Sequence, residues 1–273
     1  MTSSSGPDKT ALITGASSGI GYEFSRILAQ QGFNLVLVAR SADRLAEIAR
    51  ELATAHPIKA EVVALDLSEP EAASQLFAEV QRRGLTVDVL VNNAGFGDLC
   101  PYADSNWENQ RQMIQLNVVS LAQLTRVFLT EMIQRKSGKI LNIGSTGSFA
   151  PVPNMAVYAA TKAFVLSFSE ALSAELQGTG VTVTALCPGV TKTNFFKRSK
   201  SENMLLRRLN QMEARDVAQI GYRAMMQGRP RVVSGWFNKI MIASMRLAPR
   251  GAVLWVSKRV MSQEHSKVRE EDR

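Results

Sequence analysis

A single α/β domain, built on a doubly wound parallel sheet of about seven strands with helices on both faces, is the fold this sequence predicts. Three observations lead there. Apolar, β-rich runs alternate with segments of helical periodicity from Thr10 nearly to the C-terminus, the rhythm of strand–helix–strand units. The central runs, such as residues 35–38 and 89–91, are continuously apolar, as strands are when helices cover both faces of a parallel sheet. The chain has 273 residues, 45% of them hydrophobic, which suits one large core better than two separate ones.

Taken in order, the β-rich runs predict strands over residues 10–14, 34–39, 60–66, 87–92, 138–144, 181–187 and 231–234. Between and after them, apolar residues at helical spacing predict helices near 19–31, 41–55, 69–83, 105–136, 156–178, 214–227 and 236–262. Pro249, Arg250 and Gly251 interrupt the last of these and divide it into two shorter helices. The long charged stretch 188–212 fits neither pattern and is expected to be a loop of the kind that forms lids. The organisation expected is a polar leader at 1–8, a main domain at 9–235 and a basic amphipathic extension at 236–273.

The net charge of +8 is unevenly placed. Residues 1–190 carry 14 Lys/Arg against 17 Asp/Glu, whereas residues 191–273 carry 18 against 7. Without a groove-reading motif or regularly spaced stacking aromatics, this argues against nucleic acid. It points to anionic small molecules, acidic partners, a membrane surface, or a merely solvated face. No continuous apolar run approaches a membrane span, and the leader lacks a secretory apolar stretch, so a cytoplasmic location is expected. Cys100 and Cys187 stand far apart, with His56 and His265 the sole histidines. No disulfide framework and no metal site is expected.

The first predicted strand runs into Gly15, Ser17, Ser18, Gly19, Ile20 and Gly21 and then into a helix. Such a turn gathers backbone N–H groups and a helix N-terminus at one point, suited to a pyrophosphate. Its spacing is G-x-x-x-G-x-G, not the general dinucleotide fingerprint. NAD sites usually carry an acidic residue about 20 positions later, but the second strand here ends in Arg40, with Arg44 one helical turn on. No carboxylate opposes a 2′-phosphate there, and Arg40 could grip one by charge-assisted hydrogen bonds. The cofactor expected is NADP(H).

Thirteen residues after Ser145 comes Tyr158, and four later Lys162. On a helix, positions four apart share a face, so the Lys162 ammonium can lie beside the Tyr158 phenol and favour its ionised form. The ordinary phenol pKa is about 10, and each unit of depression needs about 1.4 kcal/mol, so a second cation such as an oxidised nicotinamide is expected to help. Ser145 closes an apolar run, where its hydroxyl can donate to a substrate oxygen.

The glycine turn, the Asn-Asn-Ala-Gly run ending in Asn93, Ala94 and Gly95, Ser145, the Tyr158/Lys162 pair, and Pro188 with Gly189 occur in this order. Together they resemble the classical short-chain dehydrogenase/reductase family, of the NADP(H)-preferring type, over roughly residues 8–235. The resemblance implies a Rossmann-like sheet and a catalytic tetrad of Asn117, Ser145, Tyr158 and Lys162, with Asn117 holding a water that relays protons to Lys162. It implies that Asp66 and Leu67 contact the adenine, that Asn93, Ala94 and Gly95 line the adenosine side, and that Lys162 also binds the nicotinamide ribose. The segment after Gly189 would cover the nicotinamide, with Val190 and Thr193 near the carboxamide, although Thr191 stands as an alternative to Thr193. A homodimer or homotetramer is implied too, through helices 105–136 and 156–178.

The activity expected is hydride transfer between NADP(H) and a carbonyl/alcohol pair on a hydrophobic ketone, aldehyde, acyl or steroid-like molecule. The alternatives are a 3-oxoacyl thioester reductase and a non-catalytic NADP(H)-binding regulator, which would have no need of all four tetrad residues. Phe149, Met155, Phe195, Phe196 and 204–206 would supply apolar pocket walls. In the extension, Trp236, Phe237, Ile240, Met241 and Met245 recur at near-helical spacing among Lys239, Arg246, Arg250, Lys258 and Arg259. That segment could serve as a substrate entrance, a subunit contact or a peripheral membrane contact.

Overall fold

The structure is a computed structural model that describes residues 9–193 and 211–271, with side chains in the last helix described as far as Met261. The chain opens with β1 (Thr10–Thr14), α1 (Gly19–Gln30), β2 (Asn34–Ala39), α2 (Ala42–Ala55), β3 (Ala60–Ala64), α3 (Ala72–Arg82) and β4 (Val87–Asn92). It continues with α4 (Trp107–Ile114), a π-helical turn (Gln115–Ser120), α5 (Leu121–Gln134), β5 (Gly138–Ile143), α6 (Ala156–Glu175) and β6 (Val181–Cys187). After the two-residue strands β7 (Thr191–Lys192) and β8 (Met212–Glu213) come α7 (Ala214–Met226), β9 (Arg231–Val233), α8 (Trp236–Leu247) and α9 (Arg250–Glu271).

Seven strands form one parallel sheet in the order β3-β2-β1-β4-β5-β6-β9. Alternation along each strand supplies both faces. Ala11, Ile13, Leu35, Leu37, Val89 and Val91 pack with Phe24 and Leu28 of α1, Ile48 of α2 and Met225 of α7. Leu12, Val36, Leu90 and Ile140 face the other way, onto Leu76 of α3 and Leu124, Phe128 and Met132 of α5. Each fully buried side chain of this kind contributes about 1.5–3 kcal/mol.

The strand order reverses between β1 and β4, so their carboxyl ends open a crevice where this fold binds ligands. Beneath it, the Asn92 amide donates to Asn142 Oδ1 at 2.9 Å and Thr125 Oγ1 at 3.0 Å, and Asn142 donates to Ser169 Oγ at 2.9 Å. This buried chain of hydrogen bonds fastens α5 and α6 to β4 and β5.

The third strand ends two residues before expectation. Asp66 Oδ1 accepts from Ser68 N at 2.9 Å and Ser68 Oγ at 2.7 Å, and this side-chain turn competes with further strand pairing. The last predicted helix does break where Pro249 lacks an N–H, but α9 runs on to Glu271. As one helix of 28 residues, Trp107–Gln134 contains an 18-residue window of mean hydropathy 1.2 and could by length and composition cross a membrane, which a search for continuous apolar runs does not register. Its apolar face lies on the sheet through Leu124, Phe128 and Met132. Phe195, Phe196 and 204–206, expected as pocket walls, lie outside the described residues.

Candidate active site

After β1 the chain turns through Gly15 at φ +66°, a conformation that favours glycine, and enters α1 at Gly19. Gly21 is set by packing: a Cβ there would stand 2.3 Å from the Gly15 carbonyl oxygen and 2.5 Å from Asn93 Nδ2. The turn is braced from β4. Asn93 Nδ2 donates to the carbonyls of Thr14 (2.9 Å) and Gly15 (3.2 Å), while Thr14 Oγ1 accepts the N–H groups of Asn93 (2.9 Å) and Ala94 (3.0 Å). The bracing hydroxyl of Thr14 escapes sequence reasoning, because a threonine at a strand end reads as ordinary β propensity.

A cleft of about 580 Å³ lies over this turn. Gly15, Ser17, Ser18, Gly19 and Ile20 form its floor, Arg40, Asp66 and Leu67 one end, and Asn93, Ala94 and Gly95 its wall. Asn109, Gln112 and Leu116 complete it from α4 and the π-helical turn. They belong to no motif, yet their spacing of three and then four puts them on one helix face. Thr193 lies across the turn, its Cγ2 2.9 Å from where a Gly19 Cβ would be. Thr191 is buried and donates its hydroxyl to the Gly189 carbonyl at 3.0 Å, so of the two threonines Thr193 reaches the cleft. Pro188, Gly189 and Val190 sit outside the cleft lining: Pro188 O accepts from Thr146 N at 2.8 Å, Val190 O accepts from Met212 N at 3.1 Å, and Gly189 packs against Asn238.

Arg40 stands at the cleft's end with its guanidinium 3.6 Å from the Asp66 carboxylate. Arg44 is placed differently from expectation. It hydrogen-bonds Glu47 at 2.9 Å, lies 5.8 Å over the Tyr22 ring and is outside the cleft lining. A carboxylate at i+3 and an aromatic face on the neighbouring helix engage its guanidinium.

Ser145 follows β5 and caps the short 3-10 turn Thr146–Ser148, its Oγ accepting from Gly147 N at 3.0 Å. Tyr158 and Lys162 rise from α6. Lys162 is buried and donates to the Ile143 carbonyl at 2.8 Å, 5.9 Å from the centre of the Tyr158 ring. Ser148, unnoticed in the sequence, donates to the Lys162 carbonyl at 2.7 Å. A Cβ on Gly95 would come 3.5 Å from Lys162 Nζ and 2.9 Å from Asn117 Oδ1, so only the absence of a side chain joins the cleft wall to these groups.

A family model described as short chain dehydrogenase matches residues 9–204. The chain belongs to the short-chain dehydrogenase family. As a short-chain dehydrogenase it is an oxidoreductase of the CH–OH/carbonyl class, on a fold that binds a nicotinamide cofactor. It is 32% identical over 249 residues to a very-long-chain 3-oxoacyl-CoA reductase of Mycosarcoma maydis, a match covering 89% of this chain and 71% of that protein. A protein of the same description in Aspergillus fumigatus is 37% identical over 175 residues, 63% of this chain and 51% of that one. The chain thus spans about half the length of that relative. Among solved structures, a short-chain dehydrogenase from Sphingobium yanoikuyae in complex with NADPH superposes with a TM-score of 0.79 at 30% identity, covering 88% of this chain and 94% of that one.

In this short-chain dehydrogenase Asn117 lies within the π-helical turn, a feature often found at functional sites. Its side chain is fully engaged: Nδ2 donates to Phe96 O (2.9 Å) and Thr161 Oγ1 (3.1 Å), and Oδ1 accepts from Phe96 N (3.2 Å). Thr161 in turn donates to the Tyr158 carbonyl at 2.7 Å, linking Asn117 to α6. Among the chain's own groups, burial weighs most on the phenol. Burial pushes Tyr158 up to about 12, against a hydrogen bond with Ser145 that pulls it down. Burial also brings Lys162 down to about 8. Desolvation thus outweighs the Ser145 hydrogen bond at the phenol.

Proposed function

We propose that this short-chain dehydrogenase is an NADP(H)-dependent reductase of long-chain 3-oxoacyl thioesters. The observation that carries the substrate class is the apolar cluster at Tyr158. Met155 and Met261 are buried there together, with Leu99, Val152 and Tyr158 packed against them. A proton donor set in an apolar wall suits a carbonyl on an aliphatic chain. The two curated relatives described above, both very-long-chain 3-oxoacyl-CoA reductases, support the same class.

The residues present fit the cofactor. The glycine turn leaves room above the N-terminus of α1, Arg40 supplies a cation at one end of the cleft, and Gly95 opens the other toward Lys162. NADPH, when bound, supplies the hydride. Ser145 Oγ takes the Gly147 N–H, so its own proton is available to a neighbouring oxygen. Tyr158 is protonated at neutral pH, the form required to hand a proton to a carbonyl oxygen as charge develops there. Lys162, held by Ile143 O, keeps a positive charge near the phenol below pH of about 8.

Purified protein assayed with NADPH against 3-oxoacyl-CoA of short, medium and long chain, and against small and steroid ketones, tests the reading. The expected result is a kcat/KM that rises with acyl length. Higher turnover of small ketones or steroids than of any acyl thioester overturns it.

A further inference from the structure

The exposed face of α8 is an apolar stripe without a partner among the described residues. Trp236, Ile240, Ala243 and Leu247 follow one another at spacings of four, three and four, which puts them on one side of the helix. They are open to solvent: Trp236 is 74%, Ile240 59% and Leu247 89% exposed. The opposite side, with Asn238 and Ile242, is buried against the body of the protein, where Asn238 donates to Ser234 O at 2.7 Å. So α8 is amphipathic twice over, one apolar side spent on the core and the other left outward. Leu254 and Trp255 add exposed apolar surface in the first turns of α9.

The charges decide what covers this face. From Val217 to Gln263 the chain has no Asp or Glu, but it has Lys239, Arg246, Arg250, Lys258 and Arg259 on and around the two helices. Lys239 and Arg246, seven residues apart, stand at the same angular position beside the stripe. A second copy of the chain docked here about a two-fold axis would set this positive patch against itself. A surface that is both apolar and negatively charged complements it, and that is the boundary of an anionic bilayer.

We propose that α8, with the first turns of α9, docks the protein on anionic membranes as an interfacial helix lying in the plane of the surface. Trp236, Ile240 and Leu247 enter the acyl boundary while Lys239 and Arg246 meet lipid phosphates. The docking element is joined to the active site, since Met261 of α9 packs on Met155 beside Tyr158. Docking itself rests on the exposed face of α8 and its charges, so it stands apart from the acyl-thioester reading and holds whatever carbonyl the site reduces.

Co-sedimentation of the full chain with vesicles of phosphatidylcholine alone, or with about 30% phosphatidylserine, tests the proposal. Binding is expected only to the anionic vesicles, with a blue shift of tryptophan emission and loss in high salt. Lys239→Gln and Arg246→Gln should each weaken binding about fivefold, and Ile240→Glu should abolish it, with turnover of a small soluble ketone retained as the check of folding. Equal binding to both vesicle types, or none to either by the wild-type chain, overturns the proposal. So does a wild-type oligomer that Ile240→Glu splits into smaller species in light scattering without any vesicle binding. If Ile240→Glu fails to fold, the lipid and salt dependence of the wild type decides by itself.

Discussion

The first two-thirds of the chain and the last third use apolar residues in opposite ways. From β1 to β6 the apolar side chains alternate between two helix-covered faces, and the strands inside the sheet end largely buried, with the edge strand β3 only partly so. From Trp236 onward the apolar residues keep a helical period just as regular, yet Trp236, Ile240, Leu247 and Trp255 remain exposed. Periodicity thus announces a face, and only the neighbouring elements say whether it is filled. The net charge follows the same division, negative over residues 1–190 and strongly positive beyond.

The sharpest way to break this contrast is at the active centre. Tyr158→Phe should lower kcat by two orders of magnitude or more while NADPH affinity, read by fluorescence titration, hardly changes. More than a tenth of wild-type turnover would remove Tyr158 from its role as proton donor.

Lys162→Met should end turnover as well, yet leave the fold more stable at pH 7. The Lys162 pKa lies near 8 in the fold against an ordinary 10.5, so at pH below 8 the fold carries the cost of burying its charge. The unfolded chain holds more protons between pH 8 and 10.5, and stability linked to this lysine rises with pH across that window. The variant's advantage in chemical denaturation should accordingly shrink by about 1–3 kcal/mol from pH 8 to 10.5. Tyr158, Cys100 and Cys187 are pushed up by burial and act in the opposite sense above pH 9, but they are common to both proteins. A gap that stays constant with pH would show that Lys162 is not held by a desolvated environment.

Arg40→Ala should weaken NADPH binding by about ten- to a hundredfold and leave NADH nearly unaffected, whereas Arg44→Ala should alter neither by more than about twofold. Equal losses for the two cofactors would show that Arg40 does not read the 2′-phosphate. Arg40 faces Asp66, whose carboxyl burial raises but the Ser68 hydrogen bonds and Arg40 hold below its usual range.

A pair of glycines sharpens the comparison with the smallest changes. Gly21→Ala forces a methyl group into the Gly15 carbonyl and should cost about 1–3 kcal/mol of stability together with cofactor binding. Gly251→Ala meets nothing within 4 Å at the start of α9 and should stabilise the protein by about 0.4–1 kcal/mol. Equal melting shifts of the same sign would erase the distinction between a packed turn and an open helix.

The strand rhythm, the glycine turn and the spacing of Ser145, Tyr158 and Lys162 are local properties, and the doubly wound sheet and the family are legible from them alone. Packing settles the side chains that have several possible partners. Arg44 was expected beside Arg40 at a 2′-phosphate, but Glu47 and the Tyr22 ring engage its guanidinium. Thr191 and Thr193 were equivalent in the sequence until the Gly189 carbonyl took one hydroxyl. Asp66 left its strand because Ser68 offered it a turn. The spacing of Tyr158 and Lys162 shows a cation near the phenol but not the burial that pushes the phenol up, because desolvation depends on everything packed around a group. Met261 reaches Met155 across more than a hundred residues of chain for the same reason. Periodicity fixes which side of a helix is apolar, and the meeting of distant surfaces selects what that side touches.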